Sequence, residues 1–411
     1  MECRSGVVWD EGYLRYDFGR TGRRAPGVPA GSRSDLVGWD FGDHPMHPAR
    51  LDLTIRLARE LGVLDRVEMI TPVPAIREEL LTAHTPSYLD ALHTAAHDPS
   101  YEGHGLGTAD DPIFEGMDEV GALIAGGSLL AAQRMWRGDV AHAVNIAGGL
   151  HHAMPDYASG FCLVNDPVVA IRWLRANGAS RVAYVDIDVH HGDGVQAAFY
   201  SDPAVLTISL HQHPATLFPG TGLPGELGED DAIGTSVNVA LPPQTDDAGW
   251  LRAFHAVVPG AVRAFRPDVL VTQCGCDTHR EDPLADLALT VDGQRAAYAA
   301  LHELAHKAAG GRWLAVGGGG YGVVRCVPRS WTSLIAESTG VPLDAATPIP
   351  LGWRAHLSDA GVPLPDTIGE GTTPQLQRWD PGGETFLDRS IAATRRGAFP
   401  LLGLDPYDPR D

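Results

Sequence analysis

Lysine is almost missing from this chain: Lys307 is the single one, so nearly all positive charge is carried by arginine, a bias of composition rather than mechanism. Positive charge is scarce altogether. Lys and Arg total 31 against 52 Asp and Glu, a formal net charge of −21. Phosphate neutralisation needs an excess of cationic side chains, so nucleic acid is excluded as an expected partner. The acidic balance would favour a cationic substrate or product, although a solvated acidic surface gives the same sum. Cysteine is sparse too. Cys3, Cys162, Cys274, Cys276 and Cys326 are odd in number and scattered, a poor disulfide framework, and no second pair completes a thiolate zinc site around Cys274 and Cys276. No apolar run approaches the ~18 residues a membrane helix needs, so no membrane partner is expected. The opening decapeptide, with Glu2 and Asp10 near its ends and no long apolar core, does not read as a signal peptide. A cytoplasmic location is the default expectation.

What is present is an ordinary globular balance: 44% hydrophobic and 20% charged residues in 411, enough to bury a large core. Against that background one stretch stands apart, Arg181-Val-Ala-Tyr-Val-Asp-Ile-Asp-Val-His-His-Gly-Asp-Gly194. It starts as a β-branched apolar run and passes into five ionisable groups: Asp186, Asp188, His190, His191 and Asp193. Alternation along a strand puts Asp186, Asp188 and His190 on one face. Two carboxylates and an imidazole at a buried strand end call for a cation.

The remainder supplies a frame. Apolar spacing predicts helices over 49–64, 75–98 and 119–136. From there strands at 143–146, 181–188, 204–210, 268–273 and 313–316 alternate with helices at 167–176, 194–200, 248–265, 291–309 and from about 324. Such alternation implies an α/β fold, an open parallel sheet with helices on both faces. No linker divides the chain, so 1–411 reads as one domain. The Pro- and Gly-rich segment from about 340 is expected to wrap irregularly around it. Between the near-repeats Tyr16-Asp-Phe-Gly19 and Trp39-Asp-Phe-Gly42, residues 20–40 are rich in Arg, Gly, Ser and Pro and read as a mobile loop.

Placed on that frame, the unusual residues follow successive strands: His151-His152, the Asp/His cluster, His211, Gly275-Cys-Asp277 and Gly317-Gly-Gly-Gly-Tyr321. In open α/β sheets ligands bind outside the carboxyl ends of the strands, so five strand ends deliver chemistry to one edge. Asp188, His190 and Asp277 make a three-ligand metal site with an open position, as a catalytic zinc needs; Fe(II), Co(II) or Mn(II) would also be accepted. His151 and His152 offer acid–base groups near neutrality. Tyr321 is a suitable oxyanion donor. Phe161 and Phe218 flank Gly and Pro turns and would line a channel or belong to the core, the core being commoner for such residues.

The motifs Gly148-Gly-Leu-His-His152, Ser159-Gly-Phe-Cys162, Asp186-Ile-Asp-Val-His-His-Gly-Asp-Gly194, Phe218-Pro-Gly-Thr-Gly222, Gln273-Cys-Gly-Cys-Asp277 and Gly317-Gly-Gly-Gly-Tyr321 closely resemble those of the histone deacetylase superfamily, in particular its bacterial acetoin-utilisation branch. The resemblance covers roughly residues 7–340, and implies the arginase/deacetylase-like fold. It implies Zn2+ (with Fe2+ as an alternative) on Asp188, His190 and Asp277. His152 would be general base and then acid, oriented by Asp193; His151, oriented by Asp186, would act electrostatically; Tyr321 would hold the oxyanion. Gly160, Phe161 and Phe218 would form the tunnel for the lysine methylenes, with Asp110 at its rim. A structural K+ would sit on Asp186 and Ser209 and the carbonyls of Asp188, His190 and Leu210.

The reaction implied is hydrolysis of acetyl-lysine in a protein or peptide to lysine and acetate. Tyr321 stands where poor deacetylases of the family carry His. Leu284 stands where polyamine-specific relatives carry Glu, which removes the anchor for a polycation. An acetylpolyamine or other small acyl-amine deacetylase is the enzyme alternative. A ureohydrolase would need bridging carboxylates for a second metal, and a non-catalytic acyl-lysine binding module would have no use for intact acid–base and metal residues. Residues 20–40 look like an insertion in the first rim loop, expected to shape access to the tunnel.

Overall fold

The computed structural model describes residues 3–21, 35–36, 39–40, 44–358 and 362–411. Of the expected rim-loop insertion, only Arg20, Thr21 and a two-residue ribbon pairing Asp35–Leu36 with Trp39–Asp40 fall among the described residues; the rest of that expectation lies outside them.

Strands β1 (Ser5–Val8), β2 (Glu68–Ile70), β3 (His142–Asn145), β4 (Val182–Asp186), β5 (Val205–Gln212), β6 (Ser236–Leu241), β7 (Val269–Gln273) and β8 (Trp313–Val316) form one sheet in the order β2-β1-β3-β8-β7-β4-β5-β6. Every pairing in it is parallel. The helices are α1 (Ala49–Glu60), α2 (Arg77–Leu80), α3 (Pro86–His97), α4 (Met117–Trp136), α5 (Asp166–Ala176), α6 (Asp193–Phe199), α7 (Asp247–Phe265), α8 (Val291–Ala308), α9 (Val327–Ser338), α10 (Leu351–His356) and α11 (Phe386–Ala398).

The central strands are apolar on both faces because helices cover both. All five residues of β4 and all eight of β5 are buried, so these strands read as continuous runs rather than alternating ones. On β3 the two faces can be seen directly. The side chain of Asn145 donates to Ile124 O and Ser128 Oγ of α4, whereas His142, an odd number of residues away, bonds Ser338 O of α9. Helix starts are set by side-chain caps: Asp246 accepts from Gly249 N before α7, and Thr290 accepts from Gly293 N before α8. Lys307, in the last turn of α8, is exposed and pairs with Glu303 one turn earlier.

The structure departs from the sequence reading in four places. The expected helix over 75–98 is two, α2 and α3. The strand from 181 stops at Asp186, so Asp188 and His190 lie beyond it. Strands β1, β2 and β6 were not expected; β1 and β2 are short, and Ser5-Gly6 and Glu68 dilute any apolar signal. The C-terminal segment, expected to be irregular, contains α10 and α11. Helix α11 opens with a capping box of Thr385 and Asp388 and lies on the edge strand β6. There Ser390 Oγ donates to Ala240 O and Thr394 Oγ1 to Asn238 O, which covers carbonyls an edge strand would otherwise present.

Candidate metal centre and acid–base site

The order of strands places the carboxyl ends of β3, β8, β7 and β4 side by side at the middle of the sheet. The chain leaves β4 through successive carboxylate-capped turns: Asp188 N donates to Asp186 Oδ1 (3.1 Å) and His190 N to Asp188 Oδ1 (2.9 Å). These turns, not strand alternation, bring the cluster together. His190 Nδ1 lies 3.1 Å from Asp188 Oδ1 and 3.2 Å from Asp277 Oδ2, and one donor atom from each of the three residues falls within 4.8 Å of the others. All three residues are buried.

The outer oxygens are already occupied. Asp188 Oδ2 accepts from Gly319 N and Gln273 Nε2, each at 2.7 Å, and Asp277 Oδ1 accepts from Val189 N at 2.8 Å. The remaining atoms, two carboxylate oxygens and one imidazole nitrogen, face a common point. Their chemistry fits a divalent cation, with outer partners that fix ligand orientation. Gly275 and Gly319 are needed there, because a Cβ on Gly275 would strike the Asp188 carboxylate and one on Gly319 that of Asp277. Burial opposes charge on His190, but Asp188 and Asp277 outweigh it and raise the imidazole to about 10, a proton that a metal would displace.

Beside the cluster stand two His–Asp pairs. His151 Nδ1 is 2.7 Å from Asp186 Oδ2, which also accepts from Tyr184 OH at 2.6 Å. His152 Nδ1 is 2.6 Å from Asp193 Oδ1, and the two Nε2 atoms are 3.0 Å apart. The pairs differ electrostatically. Burial lowers His151, but Asp186 and Asp188 raise it to about 9. Burial and the neighbouring His151 hold His152 below its usual value. The two adjacent imidazoles are thus pushed in opposite directions.

Tyr321 follows the glycine run after β8. Its backbone N donates to Asp282 Oδ2 (2.7 Å), its ring meets Phe161 edge to face at 5.8 Å, and burial keeps the phenol protonated, well above its usual range. Phe161 is buried, whereas Phe218 is 45% exposed and packs edge-on against His152 at 5.0 Å. Gly160 lies against the His152 ring and donates its N–H to Asp110 Oδ2 at 2.7 Å. Leu284 is half-buried, its N–H bonded to Asp282 Oδ1. Asp186 and Ser209 are register partners on β4 and β5, Ser209 Oγ lies 2.8 Å from His211 Nδ1, and Leu210 is buried. His191, bonded to Thr221 and Gln196, belongs to the scaffold.

Three supporting residues have no sequence signature. Arg50 on α1 donates to Gly320 O at 2.6 Å and to Gly318 O, gripping the glycine run that presents Tyr321. Asp166, at the start of α5, accepts from Gly149 N (3.0 Å) and Leu150 N (2.9 Å) and so pins the loop carrying both histidines. Asp282 joins Tyr321 to Leu284.

Comparison with known proteins identifies the family. Residues 44–338 match the histone deacetylase domain family. The chain is 41% identical over 315 residues to the acetoin utilization protein AcuC of Bacillus subtilis (strain 168), covering 76% of this chain and 81% of that protein. It is 35% identical over 323 residues to AcuC of Staphylococcus aureus (strain COL), with 77% and 83% covered, and 34% identical to AcuC of Staphylococcus xylosus. With a parallel eight-stranded sheet and the family match over most of its length, the chain belongs to the histone deacetylase family, on its AcuC-like bacterial branch.

Proposed function

We propose that the protein hydrolyses acetyl-lysine in proteins or peptides to lysine and acetate, using a metal ion, Zn2+ or Fe2+, held by Asp188, His190 and Asp277. The observation that carries this reading is the convergence of two buried His–Asp pairs on one buried carboxylate–imidazole cluster. When bound, the ion supplies Lewis acidity toward the amide carbonyl and the attacking water. His152 takes the proton of that water at Nε2 and later delivers it to the leaving lysine amine. Asp193 holds the ring in the tautomer this requires. His151, oriented by Asp186, acts electrostatically as the amide carbon becomes tetrahedral, and the Tyr321 hydroxyl donates to the developing oxyanion.

Phe161 and Phe218 would flank the lysine methylenes, Gly160 would leave room beside His152, and Asp110 would take the substrate backbone. Leu284 offers no charge for a polyamine. A K+ on Asp186, Ser209 and the carbonyls of Asp188, His190 and Leu210 would brace the loop after β4; this rests on the family resemblance. The partner is therefore an acetylated protein or peptide. Among the described residues no helix is long and apolar enough to cross a membrane.

The test is acetate release from an acetyl-lysine peptide, run beside acetylputrescine. Turnover of the peptide that a chelator abolishes and added Zn2+ or Fe2+ restores is the expected result. Preference for acetylputrescine, or no turnover by the metal-loaded protein, overturns the proposal.

A further inference from the structure

We propose that the chain binds a second metal ion, through Cys3, His142, His302 and His306, at the amino edge of the sheet. Donor atoms from these four residues lie within 4.8 Å of one another. Cys3 Sγ is 3.7 Å from His302 Nε2 and 3.4 Å from His306 Nε2, and those two nitrogens are 3.1 Å apart. Around a tetrahedral zinc, the usual bond lengths put nitrogens about 3.3 Å apart and a sulfur about 3.6 Å from a nitrogen. The observed spacings are already close to those of a ligated set.

The tautomers point the same way. His142 Nδ1 donates to Ser338 O (2.6 Å) and His302 Nδ1 to Glu337 Oε1 (2.9 Å), so each ring carries its proton on Nδ1 and turns an Nε2 lone pair inward. Metal-bound imidazoles are oriented by such carbonyl and carboxylate partners. His142 is fully buried and its Nε2 has no hydrogen-bond partner, while its ring meets those of His302 and His306 at 4.7 and 5.1 Å. A hydrogen-bonded His–Cys network alone leaves that nitrogen unsatisfied; a cation satisfies it.

Three imidazoles and a thiolate fill four positions, a closed set suited to a structural Zn2+ or a similar borderline-soft ion. On binding, the Cys3 S–H bond breaks, its proton passes to solvent, and the thiolate becomes the ligand. Cys3 precedes β1, His142 opens β3, and His302 and His306 occupy the last turns of α8 before β8. Because β1, β3 and β8 are neighbours, the ion would staple three strands at the edge opposite the acid–base site.

The full chain, stripped by chelation and reloaded with Zn2+ or Co2+, provides the test. Wild type should hold about two equivalents, and Cys3→Ser and His306→Ala about one each. The Co2+ form should show a thiolate-to-cobalt charge-transfer band, kept in Asp277→Asn, where the first site is disrupted, and lost in Cys3→Ser. His306 is exposed, so His306→Ala tests the site without opening the core. Absence of the band in wild type, or equal stoichiometry in wild type and both ligand variants, overturns the proposal.

Discussion

At the scale of single residues, the candidate site places groups of the same type in different surroundings. Two buried histidines adjacent in sequence are pushed in opposite directions: Asp186 and Asp188 overcome burial and raise His151, whereas burial and the neighbouring His151 lower His152. In the proposed reaction Tyr321 contributes through a proton that its surroundings retain. Tyr321→Phe should therefore lower kcat by ~10²–10³, the usual effect of losing one oxyanion donor, with metal content unchanged by elemental analysis. Unaltered kcat would remove the hydroxyl from the reaction. Gly275→Ala tests the other half of the site. The added methyl must push Asp188 off its position, so the variant should purify with much less metal in the first site and correspondingly little turnover, although Tyr321 and both histidines are intact. Normal metal content in Gly275→Ala would mean the carboxylate can yield without losing its ligand.

Elements matter here mainly as holders of loops. The segment after α10 returns Glu370 to a buried position where it meets His279 Nε2 (3.0 Å), which follows Asp277, and Arg329 Nη2 (2.8 Å) on α9. Burial alone would raise Glu370, but His279 and Arg329 hold it at about 2, against 4.5 ordinarily. A depressed carboxylate stabilises the fold above its unfolded pKa, and the contribution disappears as pH falls through the folded one. The Glu370 carboxylate's own contribution should thus be full above about 4.5 and be lost as pH falls toward about 2. Glu370→Ala leaves Arg329 buried without its carboxylate, at a cost of about 3–5 kcal/mol. Its unfolding free energy, measured by denaturant, should show a weaker acid dependence than wild type; an identical acid profile would contradict this.

The same scale shows what a sequence can disclose. Strands β3, β4, β5, β7 and β8 were legible because burial on both faces favours apolar runs, and the residues of the candidate site were legible because they cluster immediately after those runs. Strand order was not, since β7 and β8 insert between β3 and β4 by tertiary packing alone. Arg50, Asp166 and Asp282 escaped notice because they act on backbone atoms far away in sequence, which leaves no local pattern. Cys3, His142, His302 and His306 escaped for the same reason: only the fold gathers them. Helix α11 was hidden by the Pro- and Gly-rich residues before it.

For the molecule as a whole, the acidic balance seen first remains the main long-range property. A net charge of −21 sets up a field that attracts cationic peptides and that salt screens over about 10 Å at 0.1 M. For acetyl-lysine peptides flanked by arginines, kcat/KM should fall as ionic strength rises, whereas peptides flanked by glutamates should gain. Identical salt responses for the two series would show that the surface field plays no part in encounter.

The lone side-chain amine acquires a practical meaning from its place. Lys307 stands on the last turn of α8, next to the start of β8, while the reactive groups emerge where the strands end. Amine-directed coupling to a bead or sensor chip through this side chain would anchor the protein by its rear. The substrate entrance would then face the flowing solution in a uniform orientation.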